Sequence, residues 1–575
     1  MLFLASERCL PIFGNRIALG SASRLNERKS FMPRYVDYVV LVCVAAALTL
    51  PNLGAPSLWD VDEGVNAEAA REMHEAGTWV IPTFNFELRT QKPVMLYWLQ
   101  RVSYAAFGVS EWSARLPSVL ASWFTLLLTY ELARRMFNRA TGLLAAVALG
   151  SAIEFSMLAH AATPDATLLL FTVLTYFLFW INHENGSRKW WLPCAAACGL
   201  AMLTKGPVGV AVPGLVFLLY FAWNRELSRL WDRKLIPALA VFALVAGPWY
   251  GLVAAETRGE WAKAFFLNEN LNRATTPMED HSGPIFYHAV ALLVLFAPWS
   301  IFIGATFWYG IQRAKSPPTS VGSQENRPHR FLLCWFGAYL VLFSLVKTKL
   351  PNYVLPLYPA LAILTARFLT RWLEGELAVR RWLMPAACGG MLLVAVGLGG
   401  GLLFAGRKFP GLESWSALAV VPLAGAIAMA ACLRKGNRRG FVLATAVASV
   451  TFTFAISAFP AGAMDAYKAP RDLVRDAGLA DRTREIRVAA YDWFQPSIVF
   501  YSKRHVEKLT SVQKAAEFLA VPTPGYLLVE EETWTLWIEK QVATPHRVAA
   551  RRFDFYRNKH VLAITNEPAS DVARR

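Results

Sequence analysis

Long apolar blocks, not alternating stripes, set the rhythm of this chain. Val39–Leu50, Leu168–Trp180, Val208–Phe221, Leu235–Val253, Phe331–Val346 and Met391–Phe404 carry almost no polar residue on any side. A helix of a soluble protein keeps a polar back at the 3.6-residue period, and these blocks lack one. Lipid offers no partner to backbone N–H and C=O groups, so runs of about 20 apolar residues cross it as helices. The pattern predicts thirteen spans: 36–53, 113–133, 141–158, 164–181, 191–204, 207–223, 235–254, 285–311, 331–346, 352–370, 383–405, 414–433 and 440–460. A further apolar stretch, Val94–Val109, is interrupted by Gln100 and Arg101 and reads as an interfacial helix within a long first outer loop.

Basic residues then choose the sides. Cytoplasmic loops of membrane proteins are enriched in Lys and Arg. With thirteen spans and the N-terminus inside, the inner loops hold Arg134, Arg135 and Arg139; Arg225, Arg229 and Arg233; Arg371, Arg380 and Arg381; and Arg434, Lys435, Arg438 and Arg439. The two longest outer loops, 54–112 and 255–284, are richer in Asp and Glu than in Lys and Arg. Counting 94–109 as another span would turn every later basic loop outward. Residues 1–35 are basic and lack the apolar core of a signal peptide, so they read as a cytoplasmic tail.

Residues 36–460 form the membrane domain, with 54–112 as its chemistry-bearing outer loop. Residues 461–575 change character and read as a small α/β domain, which the parity of the spans places on the outer side. Its expected strands are Glu485–Tyr491, Ser497–Tyr501, Tyr526–Glu530, Arg547–Phe555 and Val561–Thr565, with a helix at Val512–Ala520. The fold class is thus a polytopic α-helical membrane protein with a C-terminal α/β domain.

Composition adds exclusions. Of the 575 residues, 55% are hydrophobic, and the net charge of +17 is explained by loop topology rather than by a nucleic-acid partner. Many of the 21 Trp sit at run ends, such as Trp190, Trp191, Trp249 and Trp299, which suits interfacial belts. The seven Cys show neither zinc spacing nor a disulfide framework.

Ionisable residues near a bilayer edge are costly and mark function. The outer turns gather Asp60, Asp62, Glu63, Glu68, Arg71, Glu72 and Lys92; then His160 and Asp165; then Lys205; then Glu279, Asp280 and His281; then Lys347 and Lys349. Lysines on the outer side run against the charge bias, and Lys is a good partner for phosphate. A carboxylate can take a proton from an acceptor hydroxyl or stabilise charge at a sugar carbon. Plainer roles compete: Asp62 and Glu63 can cap a helix, Lys92 can snorkel, and Asp165 follows Pro164 at a helix start. A secondary transporter or lipid flippase could use such charges too. It would place them near the midplane, often in two related halves, and the sequence shows neither.

The motifs Leu58-Trp59-Asp60-Val61-Asp62-Glu63-Gly64, Gln91-Lys92-Pro93, Ala162-Thr163-Pro164-Asp165-Ala166, Leu203-Thr204-Lys205-Gly206-Pro207, His281-Ser282-Gly283-Pro284 and Lys349-Leu350-Pro351-Asn352-Tyr353-Val354-Leu355-Pro356 occur in that order. Together they resemble the aminoarabinose transferase and protein O-mannosyltransferase superfamily of GT-C glycosyltransferases. The resemblance implies a sugar donor on undecaprenyl phosphate, an inner-membrane location and a lipid, glycan or protein acceptor, with lipid A among them. It implies catalytic carboxylates at Asp62, Glu63 and Asp165. It implies substrate or phosphate contacts at Lys92, Lys205, Lys349, Tyr353 and His281. The chain departs from the family at Gln91, where a metal-binding Glu is usual, and at Val65 and Asn66, where aminoarabinose transferases often carry Arg-Tyr. An amide is a poorer ligand for a divalent cation than a carboxylate. A divalent metal ion is left open, with His281 as its remaining ligand.

Overall fold

A computed structural model describes residues 33–184, 186, 191–231, 235–272, 282–315 and 326–568. The apolar runs form helices. Helix α1 (Arg34–Thr49) leads into the outer loop, which holds α2 (Asp62–Glu75), a hairpin of β1 (Thr83–Phe84) and β2 (Glu87–Leu88), and α3 (Met95–Phe107). The interfacial helix expected at 94–109 is α3. The bundle continues with α4 (Glu111–Met136), α5 (Arg139–Gly150), α6 (Ile153–Ala159), α7 (Pro164–Glu184), α8 (Trp191–Lys205), α9 (Val208–Trp223) and α10 (Leu235–Glu256). Then come α11 (Tyr287–Leu295), α12 (Ile303–Lys315), α13 (Asn326–Leu345), α14 (Tyr358–Leu373), α15 (Leu383–Gly406), α16 (Val420–Arg434) and α17 (Arg438–Ala458).

Eight of the described helices are long and apolar enough to cross a membrane, or ten if each of two bent pairs is one span. Expected spans 36–53, 191–204 and 207–223 are the 16-, 15- and 16-residue helices α1, α8 and α9, shorter than the roughly 20 residues that cross hydrocarbon. Helix α14 is the hub: all its residues except Arg371 and Leu373 are buried.

Two expected spans are broken. Helices α5 and α6 meet at 67°, and α11 meets the segment Trp299–Lys315 at 115°. A break strands backbone groups that lipid cannot satisfy. Here the breaks satisfy each other. The Ile153 N–H donates to the Ala297 carbonyl at 3.3 Å, Trp299 Nε1 donates to Ser151 Oγ at 2.9 Å, and Thr453 Oγ1 donates to the Ser151 carbonyl at 2.8 Å. The first break aims the short helix α6 at the outer loop.

The C-terminal unit contains α18 (Ala469–Asp476), β3 (Arg487–Tyr491), α19 (Ser497–Ser502), β4 (Val506–Lys508), α20 (Val512–Ala520), β5 (Gly525–Glu530), β6 (Arg547–Asp554) and β7 (Lys559–Thr565). Its sheet runs β4-β3-β5-β7-β6, with β3 parallel to β4 and β5, and β7 antiparallel to β5 and β6. Helices α18 and α19 cover one face and α20 the other. The strand expected at Ser497–Tyr501 is helix α19 instead. A short apolar run fits a buried strand or a buried helix equally, and Pro496 before it favours a helix start.

This unit sits on the outer loop. The Asp60 carboxylate accepts the Ser497 N–H at 2.8 Å and the Ser497 hydroxyl, while the Asp60 N–H donates to Tyr556 Oη at 2.8 Å. The Leu58 N–H donates to Tyr501 Oη at 2.8 Å, and Asn85 pairs with the Val506 N–H and C=O at 2.9 and 3.0 Å. Burial pushes the Asp60 carboxyl up to about 7, against the lowering effect of the Ser497 hydrogen bonds. The seam is tight at Gly64, where a Cβ would lie 2.6 Å from the Ser497 backbone nitrogen. Replacing Gly64 with Ala is expected to loosen the C-terminal unit while leaving the helical bundle intact. Limited proteolysis of the 478–486 turn would then speed up several-fold; an unchanged rate would show that the seam tolerates a methyl group.

Candidate active site

The first outer loop is built around one buried ion pair. Arg115, in the first turns of α4, donates Nε to Glu63 Oε1 at 2.9 Å and Nη2 to Glu63 Oε2 at 2.7 Å. Its remaining N–H groups go to the carbonyls of Leu53 and Pro56, both at 2.8 Å, and of Ser57 at 3.0 Å. Glu63 also accepts the Trp59 N–H at 2.8 Å and the Ala162 N–H at 2.6 Å. Burial alone would raise the Glu63 carboxyl, but the adjoining Arg115 guanidinium holds it below the usual carboxylate range. Glu63 thus ties together the loop, the start of α2 and the turn that leads to Asp165.

Asp62 is the next-door residue with the opposite fate. It is exposed, and it lines a cavity of about 500 Å³ between the loop, α6 and the end of α17. The walls are largely apolar, with Ile153, Met157, Ile456 and Met464; His160 and Arg115 add polar edges. The other acids of the loop are committed locally. Glu68 takes Arg71 Nε at 2.7 Å, Arg71 reaches Glu75 at 2.7 Å, and Glu72 accepts the Phe86 N–H at 3.1 Å.

A second cavity, of about 270 Å³, is walled by Gln91, Lys92, Lys205, Phe265, Tyr339 and Tyr353. Asp165, buried at the start of α7, accepts a hydrogen bond from Lys205 Nζ at 2.6 Å. The Lys205 ammonium also stands 5.5 Å from the Tyr353 ring centroid. Gly206 makes this placement feasible: its φ of +75° turns the chain, and a Cβ there would lie 2.5 Å from the Phe265 ring. Asp62 and Lys92 are near enough to act through space on Lys205 and Asp165 respectively. The two cavities therefore flank one charged centre.

The structure gathers Lys92, Lys205 and Tyr353 around the smaller cavity, with Asp165 paired to Lys205 and Asp62 at the larger cavity. Two expectations change. Glu63 is closed within the Arg115 pair, with its oxygens fully occupied. Lys349 turns away from the cavity, and its Nζ donates to the carbonyls of Phe343, Ser344 and Val346 at 3.1, 2.6 and 2.6 Å. It caps the C-terminal end of α13, where a cation is favoured by the unpaired carbonyls. Glu279, Asp280 and His281 lie outside the described residues. Sequence reasoning missed Arg115 and Arg89. Arg89 donates to Tyr97 Oη at 2.6 Å, to Asn66 Oδ1 at 3.2 Å and to Gln91 Oε1 at 3.3 Å. The signal for both was available: Arg89 sits in a loop where acids outnumber basic residues, and Arg115 is a charge at the start of an apolar run. Among the described residues no three His, Cys, Asp or Glu side chains converge to hold a metal ion.

Residues 91–250 match the family model described as dolichyl-phosphate-mannose-protein mannosyltransferase. The chain is 33% identical over 341 residues to an undecaprenyl phosphate-alpha-4-amino-4-deoxy-L-arabinose arabinosyl transferase from Erwinia tasmaniensis, covering 58% of this chain and 59% of that one. It is 34% identical over 318 residues to an uncharacterized protein from Aquifex aeolicus, covering 55% and 69%. Its fold matches the crystal structure of ArnT from Cupriavidus metallidurans bound to undecaprenyl phosphate, with a TM-score of 0.75, 24% identity and coverage of 92% and 98%.

The Asp165–Lys205 pair gives a direct check of the charged centre. Removing one partner of a buried pair leaves an uncompensated charge and costs about 3–5 kcal/mol, whereas removing both costs much less. Lys205→Met is therefore expected to lower thermal stability in detergent more than the double variant Asp165→Asn/Lys205→Met does. Equal losses would mean that the two side chains are not energetically coupled.

Proposed function

The chain belongs to the GT-C glycosyltransferases of the aminoarabinose transferase and protein O-mannosyltransferase superfamily, and from that premise we propose that it transfers a sugar from undecaprenyl phosphate to an acceptor at the periplasmic face of the inner membrane. The observation that carries this reading is the joining of Lys92, Lys205 and Tyr353 around one cavity with Asp62 beside it. A phosphodiester-linked sugar donor needs cations at its phosphate, and a dry, preorganised site makes such charges effective. The donor phosphate lies at Lys92 and Lys205, with Asp165 fixing the second lysine. As the bond between the anomeric carbon and the phosphate oxygen breaks, its electron pair stays on undecaprenyl phosphate. The acceptor oxygen forms the new bond to the same carbon. A hydroxyl acceptor gives its proton to Asp62; a phosphate acceptor, as on lipid A, is already a nucleophile and needs none.

In this reading the chain crosses the membrane thirteen times, with the short helices α1, α8 and α9 completing the count and the C-terminal unit in the periplasm. The acceptor enters through the larger cavity, whose apolar walls suit a lipid, and lipid A is the leading choice over another envelope glycan or a protein. The charges gather at one edge rather than at the midplane, which supports transfer over transport or lipid flipping. Side chains supply the chemistry described here, and no step runs through a metal ion.

Glu63 and Arg115 act by positioning. They set where Asp62 stands relative to the Asp165–Lys205 pair, because their hydrogen-bonding groups are spent on each other and on the backbone.

Asp62→Asn is expected to leave the protein folded and inserted yet cut transfer by a factor of about 10² or more for a hydroxyl acceptor, within the usual range for a lost general base. The check is mass spectrometry of lipid A and envelope glycans from cells carrying either form; normal modification of a hydroxyl acceptor by the variant would rule out Asp62 as the base, whereas a phosphate acceptor would be modified by both forms. Glu63→Gln, which keeps shape but weakens the Arg115 pair, is expected to lower kcat several-fold with little change in KM. A change confined to KM would instead place Glu63 against the donor or acceptor.

A further inference from the structure

At the opposite end of the bundle from the charged centre, a crevice of about 470 Å³ opens between α12 and α15. Its lining is Ile301, Gly304, Ala305, Trp308, Arg380, Trp382, Leu383 and Ala386, and no carboxylate is among them. The two segments touch near Gly390, where an added Cβ would lie 2.8 Å from the Ile301 side chain. From there they separate toward Trp308 and Trp382, and the small residues Gly304, Ala305 and Ala386 keep the gap open. Trp308 and Trp382 are 43% and 61% exposed, which puts two indole rings at the mouth rather than in the core.

The approach to α15 is shaped to present a cation there. Leu377 and Val379 pack against the main apolar core. Their alternating neighbours, Ala378 and Arg380, are exposed. Core packing thus pins the segment and directs Arg380 to the crevice, with the exposed Arg381 beside it. In the topology proposed above, this loop lies on the cytoplasmic side.

We propose that this crevice is a binding site for one anionic phospholipid of the inner leaflet. An acyl chain lies between α12 and α15 against Ile301, Leu383 and the small residues. The indoles of Trp308 and Trp382 sit at headgroup level, where aromatic rings are favoured. Arg380 holds the phosphate, as basic pockets between membrane helices do for acidic lipids. The site is remote from Lys92 and Lys205, so it serves a structural lipid rather than the sugar donor.

The test is native mass spectrometry of the full chain purified in detergent and exchanged with equal amounts of phosphatidylglycerol and phosphatidylcholine. The wild type is expected to retain one phosphatidylglycerol in preference to phosphatidylcholine. Arg380→Gln is expected to reduce that preference about fivefold, the effect of one basic residue at an anionic lipid surface. Arg434→Gln, an exposed arginine at the end of α16, serves as the control for general charge and is expected to leave the preference intact. Equal retention of the two lipids by the wild type would overturn the proposal. So would an unchanged preference in Arg380→Gln, or an equal loss in Arg434→Gln. Because the readout is lipid retention, failure of the glycosyltransferase reading would leave the result standing, and the reverse also holds.

Discussion

The Glu63–Arg115 pair is the constraint on which the site is built. Burying two charges costs several kcal/mol per ion and is tolerated only when every donor and acceptor is matched. Here the match is complete: the guanidinium spends its five N–H groups on one carboxylate and three carbonyls, and the carboxylate gathers two backbone N–H groups besides. Such a pair contributes less to stability than its Coulomb attraction suggests. Its use is in specifying one arrangement, because any other leaves a buried charge unpaired. It joins three segments that are distant in sequence: residues 53–63, 115 and 162.

That junction explains how two adjacent acids come to differ. Glu63 points inward and is consumed by the clasp; Asp62, one residue earlier on the helix, is turned about 100° away by helical geometry and faces the larger cavity. The Ala162 contact then fixes the turn before Asp165, and Asp165 fixes Lys205 at the smaller cavity. The Glu63 clasp beside Asp62 is therefore linked through the 162–165 turn to the lysine at the smaller cavity. The C-terminal unit closes the same loop from above through Asp60, Ser497 and Tyr556.

Broken helices serve the same end. The 67° bend between α5 and α6 would be untenable if its backbone groups faced lipid. It is tolerated because Ala297, at the other break, accepts the Ile153 N–H. The bend leaves α6 forming a wall of the Asp62 cavity, where a straight span would have continued past it.

The sequence by itself determined the membrane character, the approximate positions of the helices, the helix within 94–109 and the motifs that carry Asp62, Lys92, Asp165, Lys205 and Tyr353. Those features follow from local apolar content, charge bias and short motifs, which are readable along the chain. Only the tertiary structure decided which charges are free to act. Glu63 and Asp62 are equivalent in one dimension, and Lys349 is as well placed in sequence as Lys205. Their roles separate because burial and partner geometry depend on residues tens to hundreds of positions away: Arg115 for Glu63, Asp165 for Lys205, and three carbonyls at the end of α13 for Lys349. The helical state of 497–502 and the two breaks were hidden for the same reason, since an apolar run records that a segment is buried but not what it is buried against.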